Sequence, residues 1–296
     1  MTSVLGFVGF GEVASVFSTA LSEHGARVLA TDILLSRDGG EAILRERMAG
    51  APIELVSMSD LIRQCDVVLS TVTTMVACQV AEEAAPFLRQ GQVYLDLNST
   101  SPGVKKKIAS IIDETPADFV EAAVLGAVGA SGAQARMLLC GERGVEIAEL
   151  LSSLGLRPTF YATEIGKASM FKMLRSIFSK GLECLVIEFL IAVRRAGIED
   201  DLWNDITGFM ATKAFDVIAD NWTRTHGTAY ERRYHEMEQV VETMAELGVS
   251  PIMTEATTAL FARSSSLDLA SRLDGAEDLR NAVIDALEQA DRPGQV

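Results

Sequence analysis

Several residue types are scarce in this 296-residue chain, and each scarcity excludes something. It has 7 prolines and no low-complexity tract, so it is not an extended or disordered polypeptide, and no repeat of solenoid length is present. The 4 cysteines, Cys65, Cys78, Cys140 and Cys184, lie far apart in apolar surroundings and form no C-x-x-C pair. Reduced, mostly buried thiols in a cytoplasmic protein are therefore expected. With only 3 histidines, proton transfer falls more naturally to lysine. No metal site is read from the sequence. Basic residues are also short: 26 Lys and Arg against 41 Asp and Glu leave a net charge of −15. Such a surface repels phosphate backbones, which argues against nucleic-acid or anionic-membrane binding, although a few local cations can still hold an anionic substrate. No apolar run is long enough to span a bilayer, since Leu182–Val193 is short and contains Glu183 and Glu188. The apolar N-terminus has no basic flank and is interrupted by Glu12, so no signal peptide is read. What remains is a composition of 48% apolar and 23% charged residues, typical of a globular protein and long enough for two domains.

The most informative segment comes first. The apolar run Val4–Val8 feeds directly into Gly9-Phe10-Gly11-Glu12-Val13-Ala14, a G-x-G-x-x-G/A pattern between a strand and a helix. The first glycine allows a tight turn, the second lets a pyrophosphate approach the backbone, and the small third residue permits close helix–strand packing. The phosphate would sit on the free N–H groups of the helix N-terminus. A second apolar strand, Arg27–Thr31, ends in Asp32, about 20 residues after the second glycine, where a carboxylate can bind a ribose 2′-hydroxyl. Dinucleotide binding follows, with NAD favoured and NADP possible, because Asp32 repels a 2′-phosphate while Arg37 softens that repulsion.

Strand patterns at Val4–Val8, Arg27–Thr31, Asp66–Val72, Gln92–Leu97, Phe119–Val124, Arg136–Cys140 and Pro158–Tyr161 alternate with helical ones. This predicts an α/β fold, a Rossmann-type doubly wound parallel sheet covered on both faces. Ligands bind at the carboxyl ends of such strands, so loops starting near Gly9, Asp32, Thr71, Asn98 and Val124 should line one crevice, with Thr71 and Val72 against the cofactor. After Tyr161 only helices are read: Glu164–Ala196, Asp201–Ile218, Tyr230–Leu247, Pro251–Ala262 and Ala276–Ala290. An all-α C-terminal domain over residues 164–296 is expected to follow the dinucleotide-binding domain of residues 1–163.

The helix beginning near residue 164 should carry the chemistry. From Met170 to Ile187 it is apolar nearly all round, the mark of a buried helix. Yet Lys172, Ser176, Ser179 and Glu183 fall within roughly 60° of arc on one face. Such a stripe either pairs internally or faces a water-filled cleft, because unpaired buried polar groups are costly.

Four separated segments together resemble the β-hydroxyacid dehydrogenase family, which includes 3-hydroxyisobutyrate dehydrogenase and is related to 6-phosphogluconate dehydrogenase. They are the glycine motif; Asp96-Leu-Asn-Ser-Thr-Ser-Pro102, similar to D-x-S-T-x-x-P; Glu121-Ala-Ala-Val-Leu-Gly126, similar to D-A-P-V-S-G; and Gly166 to Ser176, similar to G-x-G-x-x-x-K-x-x-N-N. By that resemblance Lys172 takes the place of the catalytic lysine, Ser99 and Thr100 lie beside the nicotinamide ribose and ring, and Asn98 is a further cofactor-binding residue. A lysine serves as acid or base for an alcohol–carbonyl pair once its surroundings bring its pKa toward neutrality. The sequence departs from the family where Leu125 replaces the serine of the substrate loop, leaving backbone N–H groups near Gly126 and Ala127 to receive a carboxylate. Arg175 and Ser176 replace two asparagines; Arg175 either grips an anionic group bidentately or forms a salt bridge. In the second half, Arg232-Arg-Tyr-His-Glu-Met237 falls where better-known members carry a lysine–aspartate pair, as in a less characterised branch similar to 6-phosphogluconate dehydrogenase. His235 there is a candidate substrate contact or part of a solvated face.

The resemblance implies hydride transfer between a nicotinamide and a small, anionic β-hydroxy acid or its carbonyl partner. Two other functions stay open: imine reduction or oxidation of a β-hydroxy amino acid, and a non-catalytic dinucleotide sensor. Too few residues follow Ile198 to cover the apolar Leu182–Val193 stretch, so a homodimer or a dimer of dimers through the C-terminal domain is expected.

Overall fold

The computed structural model describes residues 3–267, 269–273 and 275–291. The chain divides into two compact units, residues 1–177 and 178–296. The boundary read near residue 163 lies just ahead of the helix within which these units divide.

The first unit is a layered α/β structure. Its elements are β1 (Val4–Val8), α1 (Glu12–Glu23), β2 (Arg27–Thr31), α2 (Gly40–Met48), β3 (Ile53–Leu55), α3 (Met58–Gln64), β4 (Val67–Ser70) and α4 (Ala77–Ala84). There follow β5 (Val93–Asp96), α5 (Pro102–Asp113), β6 (Asp118–Leu125), α6 (Val128–Ser131), β7 (Arg136–Cys140), α7 (Gly144–Ser153), β8 (Arg157–Ala162) and the start of α8 (Lys167–Ala196). The 8-stranded sheet has the order β3-β2-β1-β4-β5-β6-β7-β8. The central strands are apolar along nearly their whole length because helices cover both faces. One face packs Phe17 and Leu21 of α1, Leu44 of α2 and Ile147 of α7 onto the sheet. The other packs Leu61 of α3, Ala81 of α4 and Ile108 of α5. Chain order reverses between β1 and β4, and this switch point opens the crevice at the carboxyl ends.

Two expectations change in the first unit. The sheet is not wholly parallel, because β7 runs antiparallel to β6. The segment joining them, residues 126–135, holds only a four-residue helix and a turn. A parallel crossover needs about a dozen residues or more, usually with a full helix. Strand β3 and helix α3 were not anticipated, since each is too short to show a period. Ser57 does mark the start of α3, its hydroxyl accepting the Asp60 N–H.

The second unit is helical. It comprises the rest of α8, then α9 (Glu199–Ala211), α10 (Phe215–Glu246), α11 (Ile252–Ser266), α12 (Leu269–Arg272) and α13 (Leu279–Ala290). The chain breaks between α9 and α10 and then stays helical to Glu246, whereas the sequence pattern placed the break after Ile218. Gly227 and the polar residues around it mimic a breaker. Packing overrides that tendency: Gly227 lets α10 approach α12 and α13 so closely that a Cβ there would lie 2.3 Å from Leu273 Cδ1. Tyr230, Leu269, Leu273, Val283 and Ala286 close the small core around it. Glu188, buried in α8, accepts the Met253 and Thr254 N–H groups and caps α11. Among the described residues, Leu182, Leu185, Ile187 and Ile191 of the apolar α8 are each 45–51% exposed. Among the thiols, Cys65 and Cys140 are buried, Cys78 is intermediate and Cys184 is exposed. Among the described residues, no helix is long and apolar enough to cross a membrane.

Candidate active site

The cofactor side of the site is built from β1, β2 and β4. Gly9 has φ +87°, a conformation glycine adopts freely, and a Cβ there would lie 2.7 Å from Thr71 O. Thr71 Oγ1 donates to Gly9 O at 2.7 Å, tying the turn to the end of β4. Gly11 is the residue before α1; no side chain caps the helix, and the space beside Gly11 is open. The amides of Glu12 and Val13 thus belong to an uncapped N-terminus suited to an anion. Val13 packs against the core, and the Glu12 carboxylate lies close to Gly129. A cleft of about 720 Å³ runs along this edge, lined by Gly9, Phe10, Gly11, Asp32, Thr71 and Val72 among others.

Asp32 lines the cleft and also holds it together. Its Oδ2 accepts the Phe10 N–H at 2.7 Å and its Oδ1 the Leu34 N–H at 2.9 Å. Each oxygen keeps a lone pair for a ribose hydroxyl. Arg37 is exposed and does not line the cleft. The cation that does is Arg47 of α2, which donates to Phe10 O at 2.9 Å. Nothing in the sequence period singled it out. A glycine cradle, an open helix N-terminus and an acid at the end of β2 fit a dinucleotide.

Beneath the β4 and β5 loops lies a polar network with a buried centre. Lys105 and Asp96 are 1% and 0% exposed, with Nζ 2.9 Å from Oδ2. Nζ also donates to the carbonyls of Asp96 and Ala122. Asp96 Oδ1 accepts the Asn98 N–H and its side-chain amide, while Asn98 Oδ1 accepts the Val72 N–H at 2.7 Å. The structure therefore places Asn98 under the loops as a brace. Thr100 is buried too, its hydroxyl without a hydrogen-bond partner among the described residues. Ser99 alone of the three is exposed. Lys105 opens a run of three lysines, but its spacing to Ile108, Ala109 and Ile112 puts it on the apolar face of α5. That period was the available signal.

The third part is the start of α8. Gly166 precedes the helix at φ +100°, where a Cβ would lie 3.1 Å from Lys106 Cε. A glycine there cannot supply a capping side chain, and Glu121 of β6 supplies it instead. Its carboxylate, 0% exposed, accepts the N–H groups of Gly166 and Ser169 at 2.5 and 2.6 Å. One and a half turns further, Lys172 Nζ donates to Ser99 Oγ at 2.6 Å. Ser176 returns its hydroxyl to Lys172 O, and Arg175 is exposed. Gly126 and Ala127 are exposed beyond β6, but Leu125 is not at a surface. It packs with Ala123, Leu138, Cys140 and Ala168, so its side chain belongs to the core rather than to a substrate loop. Burial, reinforced by the Glu121 charge, pushes the Cys140 thiol up to about 11. Burial likewise raises Cys65 to about 12, which keeps both protonated. Ser179 and His235 belong to the second unit, where His235 is exposed and pairs with Glu238 at 2.9 Å.

The first unit is thus a dinucleotide-binding domain with a lysine–serine pair at its carboxyl edge. The family model described as the NAD binding domain of 6-phosphogluconate dehydrogenase matches residues 4–155, and one described as a domain of unknown function matches residues 194–264. A solved conserved protein of unknown function, described as structurally similar to 3-hydroxyacid dehydrogenases, is 30% identical over 89% of this chain and 97% of its own, with TM-score 0.60. Mitochondrial 3-hydroxyisobutyrate dehydrogenase of Mus musculus is 26% identical over 51% of this chain, a match that spans only 45% of that enzyme. The imine reductase of Bacillus cereus shares the fold over 97% of this chain and 99% of its own, with TM-score 0.77 at 15% identity. The chain belongs to the β-hydroxyacid dehydrogenase family of NAD(P)-binding oxidoreductases.

Proposed function

We propose that this protein is a dehydrogenase or reductase acting on a small β-hydroxy acid or its carbonyl partner, with Lys172 as general acid/base. The 2.6 Å contact between Lys172 Nζ and Ser99 Oγ carries the reading. It keeps an ammonium group beside Ser99, in the loop after β5, and ligands of such sheets bind at the carboxyl ends of the strands; the nicotinamide, when bound, would supply or take the hydride. In reduction, the Lys172 ammonium gives a proton to the developing alkoxide; in oxidation, the neutral amine takes the hydroxyl proton. Ser99 accepts from Nζ and orients it. Arg175, one turn beyond Lys172, offers a cation to the substrate's anionic group, as do the backbone N–H groups near Gly126 and Ala127. Asp32 supports a preference for NAD over NADP, which kinetics with both cofactors test; Asp32→Asn should narrow the preference, and a kcat/KM favouring NADP in the native protein overturns it.

Imine reduction or oxidation of a β-hydroxy amino acid is the second reading, because Leu125 leaves no serine hydroxyl for a carboxylate. A sensor needs no proton donor, and the lysine–serine contact argues against one. Following NADH and NADPH consumption against keto acids, aldehydes and imines separates the three: turnover of keto acids or aldehydes supports the first, turnover of imines alone the second, and binding without turnover the third. The exposed apolar residues of α8 support a homodimer through the helical unit. Light scattering at micromolar concentration should show twice or four times the 31.8 kDa chain; an active, stable monomer refutes it.

A further inference from the structure

The Lys172–Ser99 contact joins two segments far apart in sequence, and each is held from below by its own buried carboxylate. Asp96 of β5 and Glu121 of β6 are register partners on neighbouring parallel strands, so their side chains leave the same face of the sheet. Both are 0% exposed. Neither is aimed at the cofactor cleft, and neither is spent on a simple surface ion pair. Asp96 takes two hydrogen bonds from Asn98, the residue before Ser99, with Lys105 as its buried counter-ion. Glu121 takes the two N–H groups that open α8, the helix carrying Lys172.

We propose that Asp96 and Glu121 are a pair of positioning residues that fix Ser99 and Lys172 relative to each other, with Lys105 as the cation that makes Asp96 tolerable at that depth. The inference rests on Lys172 being the acid/base. The physical reason is that two carboxylates on adjacent strands share one rigid platform. Ser99 is referred to it through Asn98, and Lys172 through the first turn of α8. A helix capped only by water frays in its first turn, and Lys172 stands close enough to that turn to move with it. Gly166 removes the local alternative, since it has no side chain to accept the Ser169 N–H. Burying two carboxylates is costly unless their hydrogen bonds are satisfied. Here every one of the four oxygens has a donor from the chain.

The test compares Glu121→Gln and the paired change Asp96→Asn with Lys105→Met against Lys172→Ala. The paired change removes both charges, so neither is left buried and alone. Each protein is measured for kcat, the pH profile of kcat, NADH affinity and Tm. Positioning predicts that Glu121→Gln loses about 10²-fold in kcat, the scale of a misplacement near 1 Å. It also predicts a shift in the limb of the pH profile lost in Lys172→Ala, because Lys172 no longer donates to Ser99 as before. NADH affinity should hold within about threefold, since Glu121 touches α8 and not the glycine turn. The paired variant should move the same limb. If both variants keep the native kcat and pH profile while Lys172→Ala is inactive, the positioning role is overturned. A fall in kcat that only tracks Tm, with an unmoved pH profile, overturns it as well. Normal turnover by Lys172→Ala sinks the functional reading itself and this inference with it. If a variant does not fold, hydrogen exchange on the native protein decides: slow Gly166 and Ser169 amides support the cap, and exchange as fast as an ordinary exposed first turn overturns it.

Discussion

Gly9 and Gly11 stand two residues apart in one motif, but replacing each with alanine should do different things. At Gly9 the backbone sits at φ +87°, and the new Cβ would lie 2.7 Å from both Thr71 O and Val72 Cγ1. The strained conformation costs about 1–3 kcal/mol. The contact adds about 1–3 kcal/mol more, because a backbone carbonyl yields less easily than a side-chain end. The total, about 2–4 kcal/mol after partial relaxation, corresponds to roughly 4–16 °C in Tm for a domain of this size. Gly11 is different: φ is −88°, and nothing lies within 4 Å of a Cβ placed there. Alanine is a poorer helix-capping residue than glycine by only about 0.5–1 kcal/mol, so Gly11→Ala should melt within a few degrees of the native protein. We assign that open space to the pyrophosphate of the dinucleotide. Filling it should weaken NADH binding by about 10–100-fold, or 1.4–2.7 kcal/mol. Calorimetric melting of the free protein and titration with NADH separate the two effects. A Gly11→Ala protein that binds NADH as tightly as the native one would refute the assignment of that space. A Gly9→Ala protein with native Tm would refute the steric account.

Other consequences are as direct. Lys172→Ala should lose about 10²–10⁴-fold in kcat with little change in NADH affinity; near-normal turnover returns Lys172 to a structural role. Leu125→Ser, which would improve turnover of short hydroxy acids if that side chain met the substrate, should instead cost about 2–5 kcal/mol, because it empties a packed position and buries a hydroxyl. A rise in kcat/KM with unchanged Tm would place Leu125 at the substrate after all. In the second unit, burial and then the Arg233 charge lower the pKa of His226 below its ordinary 6.5. The unfolded chain therefore binds this proton first as pH falls, so stability is full above about pH 6.5 and declines below it, at most about 1.4 kcal/mol per pH unit. His226→Gln should flatten Tm against pH in that range; an unchanged slope assigns it to other groups.

The parts of this protein that are local in sequence were legible without a structure. The glycine turn, the strand before it, the helix after it and Asp32 at the next strand end are contiguous or evenly spaced, and their physics is that of one supersecondary unit. Seven of the strands followed from apolar runs long enough to count, and Lys172 from a four-three-four polar stripe on an apolar helix. Where a residue's role depends on what packs against it, sequence was silent or misleading. The direction of β7 was decided by the shortness of its connection, and the continuity of α10 by Leu273 and Val283 closing on Gly227. Leu125 and Asn98 lie in segments that read as site loops, yet one packs into a core cluster and the other braces Val72. Lys105 and Glu121 carry charges that a sequence assigns to the surface by default. Only the tertiary structure supplies the backbone carbonyls, the carboxylate and the helix N-terminus that make their burial affordable. The Ser99–Lys172 contact, across 73 residues, exists only because the sheet brings both ends together.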